Sequence, residues 1–482
     1  MSTLQEILQN LDANAPMSLP EIIREEVSTW MASDERKRML EGKRYYRVKN
    51  DILDRRRQTI GDDGRLMDVH NLADNRIPHG FVRKLVDQKT GYLLARPFVV
   101  KTEDKAYQDE LDSYFGKTFK RMLKNIGKDA INCGIGWLQV YYDEAGELSF
   151  MRLPPEECIP IWRDAAHTEL AAFIRVYEVE TYVVKTKRVI RRIQWWDHEG
   201  MKLFEDDGQL KLIEETAHFS YIDGEEVKPM TWERLPFIGF KYNDEEQPLL
   251  DLIKRQVDDY DKQKSGNANN LEDLPNSIYI VSNFSGTGAG EFRRNIALYR
   301  VAFVDGDGDV RTISLQIDTE AYKNHMDELR RNIYEFGRGV DTQQREIGNA
   351  SGIALKFLYA DLDMDMNDME SEFQAALEQL LWFVDTHIVN SVGQDYSEKE
   401  VEFIFNRDIV INETEAVTNA KNSVGVISNR TIVANHPWTT NTDDELKQIE
   451  DEKATAAEAF ASYGGMGGGV PDAGTKDDSG NQ

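Results

Sequence analysis

Four short stretches carry residue types that bind phosphate or metal in other contexts, and each lacks a part the chemistry needs. Gly116-Lys117-Thr118 looks like the end of a phosphate-binding loop. Such a loop needs a glycine five positions earlier, where Leu111 stands, and a preceding strand that the local pattern does not supply. GTGAG at 286–290 lacks the spacing of a dinucleotide-binding turn and reads as a hairpin loop. DGDGD at 305–309 alternates carboxylates as calcium loops do. Counted from Asp305, however, Val310 occupies the glycine position and Gln316 the closing glutamate, so a turn between strands explains it better. DLDMDMNDMESE at 361–372 puts acids at loop positions one, three, five and twelve, with Met366 in place of the glycine. Its apolar residues keep helical spacing, which makes the acids a solvated helix face; metal binding is the other reading. The eight histidines are scattered, with no cysteine or second histidine at ligand spacing. No G-x-S-x-G or H-E-x-x-H motif occurs. We expect no catalytic residue, no cofactor and no metal. Catalytic groups can converge from distant positions, so these failures only shift the reading toward a structural or conduit role.

A fifth stretch is VDTQQREIGNASGIALKFLY, residues 340–359. A polar run with two glycines opens into a strong helical pattern. No strand precedes it and no lysine sits at a phosphate-loop position. The glycines read as hinges of a short polar loop, with Ser351 capping the helix that follows. An ordinary polar connector is the bland alternative.

The elements that would position this loop follow from periodicity. Residues 1–59 read mostly helical, with Pro20 and Glu21 starting an apolar pattern at Ile22, Ile23, Val27 and Trp30. Residues 74–96 predict a helix after a turn at Asn75 and Pro78, with Phe81, Leu85 and Tyr92 on its buried stripe and Pro97 ending it. Residues 105–132 predict one amphipathic helix. From 135 to 242 the period falls to two, predicting long antiparallel hairpins. Residues 246–274 predict a polar helix with a thin stripe of Leu249, Ile253, Val257 and Tyr260, suited to packing along one seam. A β-rich segment, 277–316, separates it from a second helix, 319–337, that Gly337 would cap. A β unit on a two-helix stalk is the implied topology. From 352 to 392, Leu355, Leu358, Leu362, Met366, Met369, Phe373, Leu377, Leu380 and Val384 predict a helix of about 60 Å at 1.5 Å per residue. A short strand, EVEFIFN, and helices over 413–463 follow. The Gly-rich tail beyond them reads as disordered.

Composition sets outer bounds. The chain has 482 residues, 40% hydrophobic and 30% charged, enough for several structural units in a folded soluble protein of α+β class. No apolar run approaches the roughly 20 residues of a membrane span. We see no secretion signal in MSTLQEILQNLDANAP, and Cys133 and Cys158 do not make a disulfide framework, so a reducing cytoplasmic origin is expected. The net charge of −28, from 58 basic and 86 acidic residues, argues against a surface that grips nucleic acid. It is compatible with a wall past which nucleic acid slides without sticking, and the bland reading is that the acidity aids solubility.

Three stretches, in order, carry a family resemblance: YYRVKNDIL followed by NRIPHGFVRKLVDQKTGYLLARPF, then LIKRQVDDYDKQKSGNANNLEDLPNSIYIVSNF, then IGNASGIALKFLY. Spanning roughly residues 45–390, the chain is similar to the portal proteins of tailed bacteriophages, of the type found in long-tailed phages of Gram-positive bacteria. The resemblance implies a multi-domain portal fold assembled as a cyclic ring, a dodecamer of about twelve subunits. Its parts would be an N-terminal helical extension (1–40), a wing (41–245), a stem helix (246–274), a clip (275–316), a second stem helix (317–337), a tunnel loop (338–352), a long wing helix with its return strand (353–412), a crown (413–463) and a disordered tail (464–482). It also implies a non-enzymatic virion protein at the capsid's portal vertex, made in the host cytoplasm. Double-stranded DNA would pass through its channel. Its partners would be other copies of itself, the large and small terminase subunits, a head-completion connector, and the major capsid and scaffolding proteins. The DNA-facing residues it suggests are Arg338, Gln343, Gln344, Arg345, Asn349 and Ser351: a few charges and neutral hydrogen-bonding groups for transient phosphate contact. The rival readings are a capsid adaptor or scaffold without a channel, and a metal-dependent enzyme using the acids at 361–372.

Overall fold

The first apolar pattern becomes a helix because its start is closed on both sides. Helix Leu19–Ala32 opens on a capping box: Ser18 N donates to Glu21 Oε2 at 2.6 Å, and Pro20 stands in the first turn. Ile22, Ile23, Val27 and Trp30 fill its buried face, as the spacing predicts. Ser33 then caps helix Asp34–Tyr46, accepting from Arg36 N at 3.1 Å. At Gly42 an added Cβ would lie 1.9 Å from Asn132 O, so this helix meets helix Lys117–Cys133 backbone to backbone. In the computed structural model, residues 18–60, 64–69, 72–96, 98–183, 186–223, 226–272, 277–282, 288, 290–291, 309–314, 319–343, 352–407, 413–439 and 442–463 are described.

The single helix expected over 105–132 is two, Lys105–Tyr114 and Lys117–Cys133. Tyr107, Leu111, Phe115, Phe119 and Leu123 are all buried at a spacing of four, which runs unbroken across the interruption and hides it from periodicity. At the break Phe115 enters an aromatic cluster, 6.2 Å from Phe98, 5.1 Å from Phe119 and 5.8 Å from Phe403 between ring centroids.

The period-two region builds two main antiparallel sheets. One has five strands in sequential order: Cys158–Trp162, Leu170–Val183, Thr186–Asp197, Gly200–Asp206 and Leu210–Thr216. The other places Ile135–Tyr142 between Phe237–Lys241 and Leu148–Leu153. Trp137, Phe173, Trp195, Trp196 and Phe237 are part of the core that joins them, with Trp30 packed against it from the first helix. The two longest strands outrun their neighbours. Cys158–Trp162 pairs with residues 170–175 only, and Gly200–Asp206 with 191–197 only, while the long strands pair with each other as far as Val183 and Thr186.

Helices Leu249–Glu272 and Thr319–Phe336 flank an antiparallel pair, Ser277–Ser282 with Asp309–Ser314. Leu249, Ile253, Val257 and Tyr260 are buried, as the thin stripe predicts, whereas Leu271 near the helix end is 80% exposed. Helix Gly352–Val392 runs 41 residues. Strand Glu402–Ile404 then pairs with Val99–Lys101, some three hundred positions earlier in sequence. The chain divides into two compact units, Met1–Gln343 with Tyr359–Asp408, and Gln344–Leu358 with Ile409–Gln482. The second contains helices Glu413–Asn422, Asn429–Ala434 and Thr442–Tyr463. The mixture of long helices and antiparallel sheets is α+β.

Candidate functional site

The segment singled out in the sequence begins where helix Thr319–Phe336 ends. The expected capping glycine, Gly337, is not the left-handed residue there. That conformation belongs to Arg338, at φ 46°. Gly339 N donates to Tyr334 O at 2.8 Å and Arg338 N to Glu335 O at 3.1 Å, the paired bonds of a Schellman turn with Arg338 in the position glycine usually takes. The glycines on either side have a different reason. A Cβ on Gly337 would lie 2.8 Å from Leu85 Cδ1, and one on Gly339 would lie 2.1 Å from Leu85 Cδ2. They let the turn settle on helix Phe81–Leu94.

A left-handed arginine costs roughly 1 kcal/mol or more and persists only when its surroundings hold it. Here they do. Lys89, fully buried, donates its Nζ to Arg338 O at 3.2 Å and to the Asp365 carboxylate. Tyr242 Oη donates to Asp365 Oδ2 at 2.7 Å, and the Arg338 guanidinium lies 3.5 Å from Asp365 Oδ1 and 3.6 Å from Asp368 Oδ2. One buried carboxylate therefore gathers a lysine, a tyrosine and an arginine from three other elements. Burial drives the Lys89 ammonium below its ordinary range, against the pull of Asp365. Burial, reinforced by Asp365, pushes the Tyr242 hydroxyl well up. That hydroxyl therefore stays a donor.

The next residues are pinned in turn. Gln88 brackets Val340, accepting its N–H at 3.0 Å and donating to its carbonyl at 3.2 Å. Lys84 Nζ donates to Thr342 Oγ1 at 3.0 Å. Arg330 grips Asp341 with two bonds, 2.6 and 2.7 Å, and Asp341 also accepts from Gln343 N at 3.1 Å. Burial raises the Asp341 carboxyl, but the Arg330 and Gln343 hydrogen bonds outweigh it and hold the group below its usual range.

Of the six residues expected to face DNA, two are described. Arg338 leaves 46% of its side chain exposed and directs its guanidinium toward Asp365 and Asp368. Gln343 is exposed. Gln344, Arg345, Asn349 and Ser351 lie outside the described residues. Sequence reasoning missed the supports: Gln88, Lys89, Tyr242, Arg330, Asp341 and Asp365. Two of them carried a signal. Lys89 stands four residues after Leu85 on an apolar stripe, and Asp365 adjoins Met366 on another, so opposite charges occupied core positions of two helices. The acids of 361–372 lie within the 41-residue helix and are not uniformly solvated. Asp365 is buried against Lys89, while Asp363 and Glu370 pair with Arg407. Among the described residues no group of histidine, cysteine, aspartate and glutamate side chains is arranged to hold a metal ion, and no helix is long and apolar enough to cross a membrane.

Two long helices flank a strand pair, and the second ends in a turn held by a buried ionic network, with a very long helix after it. Residues 32–459 match the family described as "Phage portal protein, SPP1 Gp6-like". The chain is 30% identical over 449 residues to the portal protein of Clostridium phage phiCD119, covering 89% of this chain and 95% of that one. It is 28% identical over 432 residues to the portal protein of Bacillus phage SPP1, covering 87% and 84%. The chain belongs to the SPP1 Gp6-like family of phage portal proteins.

Proposed function

We propose that the chain assembles as a closed ring, of the dodecameric order that the family resemblance implies, whose central channel passes double-stranded DNA during packaging and ejection. The observation that carries this reading is the order of elements: long helix, strand pair, long helix, pinned turn, very long helix, within a chain of portal family. The far end of helix Leu249–Glu272 fits it, because beyond Ser265 its described residues have no buried side chain within the subunit. Neighbouring copies in a ring supply that cover.

On this reading the two long helices are the stem and residues 275–316 the clip on which the terminase docks, later replaced by a head-completion connector. Residues 41–245 are the wing, 413–463 the crown, and the capsid and scaffolding proteins meet the outer surface. On this reading the tunnel loop is 338–352. Residues 338–343 form its mount, and the DNA-facing groups are Gln343, Gln344, Arg345, Asn349 and Ser351, with Arg338 at the base. A loop with few cations touches phosphate without deep electrostatic wells, since each neutralised phosphate adds salt-dependent affinity. Electron microscopy of the purified protein tests the assembly directly. Rings with a central hole are expected; a species that stays monomeric across salt and concentration would overturn the proposal.

A further inference from the structure

Helix Lys117–Cys133 opens on the Gly116-Lys117-Thr118 triplet that fails as a phosphate loop. It carries five cations and a single carboxylate, in a chain of 58 basic and 86 acidic residues. At about 100° per residue, Lys117, Lys120, Arg121, Lys124 and Lys128 fall within an arc of about 100°. Phe119, Leu123, Ile126 and Ala130 are buried on the other side. The last cation is used inside the fold: Lys128 Nζ donates to Asp87 Oδ1 and Tyr46 Oη, each at 2.9 Å. The one acid, Asp129, is buried and accepts from Arg152 at 2.8 Å. The side chains of Lys117, Lys120, Arg121 and Lys124 make no ion pair or hydrogen bond among the described residues.

Three of these four cations rim a cleft of about 210 Å³, with Leu94, Phe98 and Leu123 on its apolar wall. All three apolar residues are buried, and Lys120 Nζ stands 5.7 Å from the centre of the Phe98 ring. No carboxylate lines the cleft among the described residues. Lys120 and Lys124 are half-buried, and Arg121 and Lys117 are exposed. Stems laid on apolar surface with charged heads left in water hold the cations in place without neutralising them.

Lysine is depleted from protein–protein interfaces, whereas lysine and arginine are the side chains that meet phosphate. From Lys117 to Lys124 the stripe spans about 10 Å. Double-stranded DNA carries a phosphate for about every 1.7 Å of its axis, so several face the stripe at once. At about 0.1 M salt charge is screened over about 10 Å. A phosphate at this face therefore senses the stripe more than the carboxylates farther off that set the net charge of −28. We propose that Lys117, Lys120, Arg121 and Lys124 form a second contact for double-stranded DNA, separate from residues 338–352 and made to phosphates alone. Such a contact is independent of base sequence and reversible, and it goes beyond the ring reading without requiring it.

The test titrates the full chain against a fluorescent duplex of about 30 base pairs, by anisotropy, between about 50 and 200 mM salt. Each neutralised phosphate adds about 0.9 to the steepness of log affinity against log salt, so four contacts weaken binding roughly a hundredfold over that range. Lys120→Gln with Arg121→Gln and Lys124→Gln should flatten the slope by about 2.7. Arg121→Gln alone, at an exposed side chain, should flatten it by about 0.9 and guards against misfolding of the triple variant. Wild-type slopes in both variants would overturn the proposal, as would a wild-type protein that does not bind the duplex. Electron microscopy of the same samples decides the ring reading separately: rings with unchanged slopes refute the contact alone, and monomers with the expected slopes refute the ring alone. A triple variant that loses rings but keeps the wild-type slope would assign the face to a neighbouring copy and refute the proposal.

Discussion

Replacing Lys89 with methionine is the sharpest probe of the mount. Its ammonium is fully buried, and it serves the Asp365 carboxylate and the Arg338 carbonyl at once. Removing one partner from a buried ion pair typically costs about 3–5 kcal/mol, because the other charge is stranded. Here Tyr242 still donates to Asp365 and the Arg338 guanidinium remains near, which places the expected cost at the lower end, about 3 kcal/mol. The loss should be local, so it is best read by hydrogen exchange at the amides of Gly339 and Val340. These are bonded to Tyr334 O and Gln88 Oε1. A cost of about 3 kcal/mol corresponds to roughly a hundredfold faster exchange. Adding Asp365→Leu should recover part of that protection, since replacing both charges by apolar groups removes the stranded carboxylate. Exchange within about fivefold of wild type in Lys89→Met, or a double variant looser than both singles, would refute the reasoning.

Deleting residues 344–350 should leave particles that assemble but hold little DNA, measured by nuclease-protected DNA per particle; normal packaging would remove the loop from the channel. Gly42→Ala should destabilise by more than about 2 kcal/mol in thermal or urea unfolding, because its Cβ would meet a backbone carbonyl that has no rotamer to escape into. His218 gives a pH test. Burial lowers its pKa, with Nδ1 accepting from Trp232 N at 3.0 Å and Nε2 donating to Asp197 O at 2.7 Å. Below about pH 6.5 the unfolded chain takes up a proton that the folded imidazole refuses, so stability falls as the solution is acidified. His218→Gln, which keeps a donor and an acceptor, should lose less stability than wild type between pH 7 and the folded pKa; identical profiles would contradict this.

Much of the architecture was written in periodicity. Helix Gly352–Val392 was legible because its apolar stripe, Leu355 to Val384, is sustained over about eight turns, and the pairing of Leu170–Val183 with Thr186–Asp197 because alternation persists along both strands. What periodicity could not show was set by partners far off in sequence. The break before Lys117 left the four-residue spacing intact, and the pairing of Glu402–Ile404 with Val99–Lys101 has no local signature. The cap was misread for a similar reason. Gly337 is glycine because Leu85 presses on it, and the left-handed position fell to Arg338, whose compensation comes from Lys89 and Asp365. The helix start that bounds the expected loop could be read from periodicity. The network that holds its base could not, because it needs the folded proximity of helices 81–94 and 352–392.

That network also bears on how the protein can diversify. Among the described residues, the bonds that hold residues 338–343 come from Lys84, Gln88, Lys89, Arg330, Asp365 and the turn itself, all on the same chain. The mount is thus complete once a single subunit has folded. Substitutions between positions 344 and 351 leave each of those bonds untouched. On the proposed loop reading, selection, or a designer, can exchange residues 344–351 while keeping the socket, and adapt the same scaffold to a different polymer in transit.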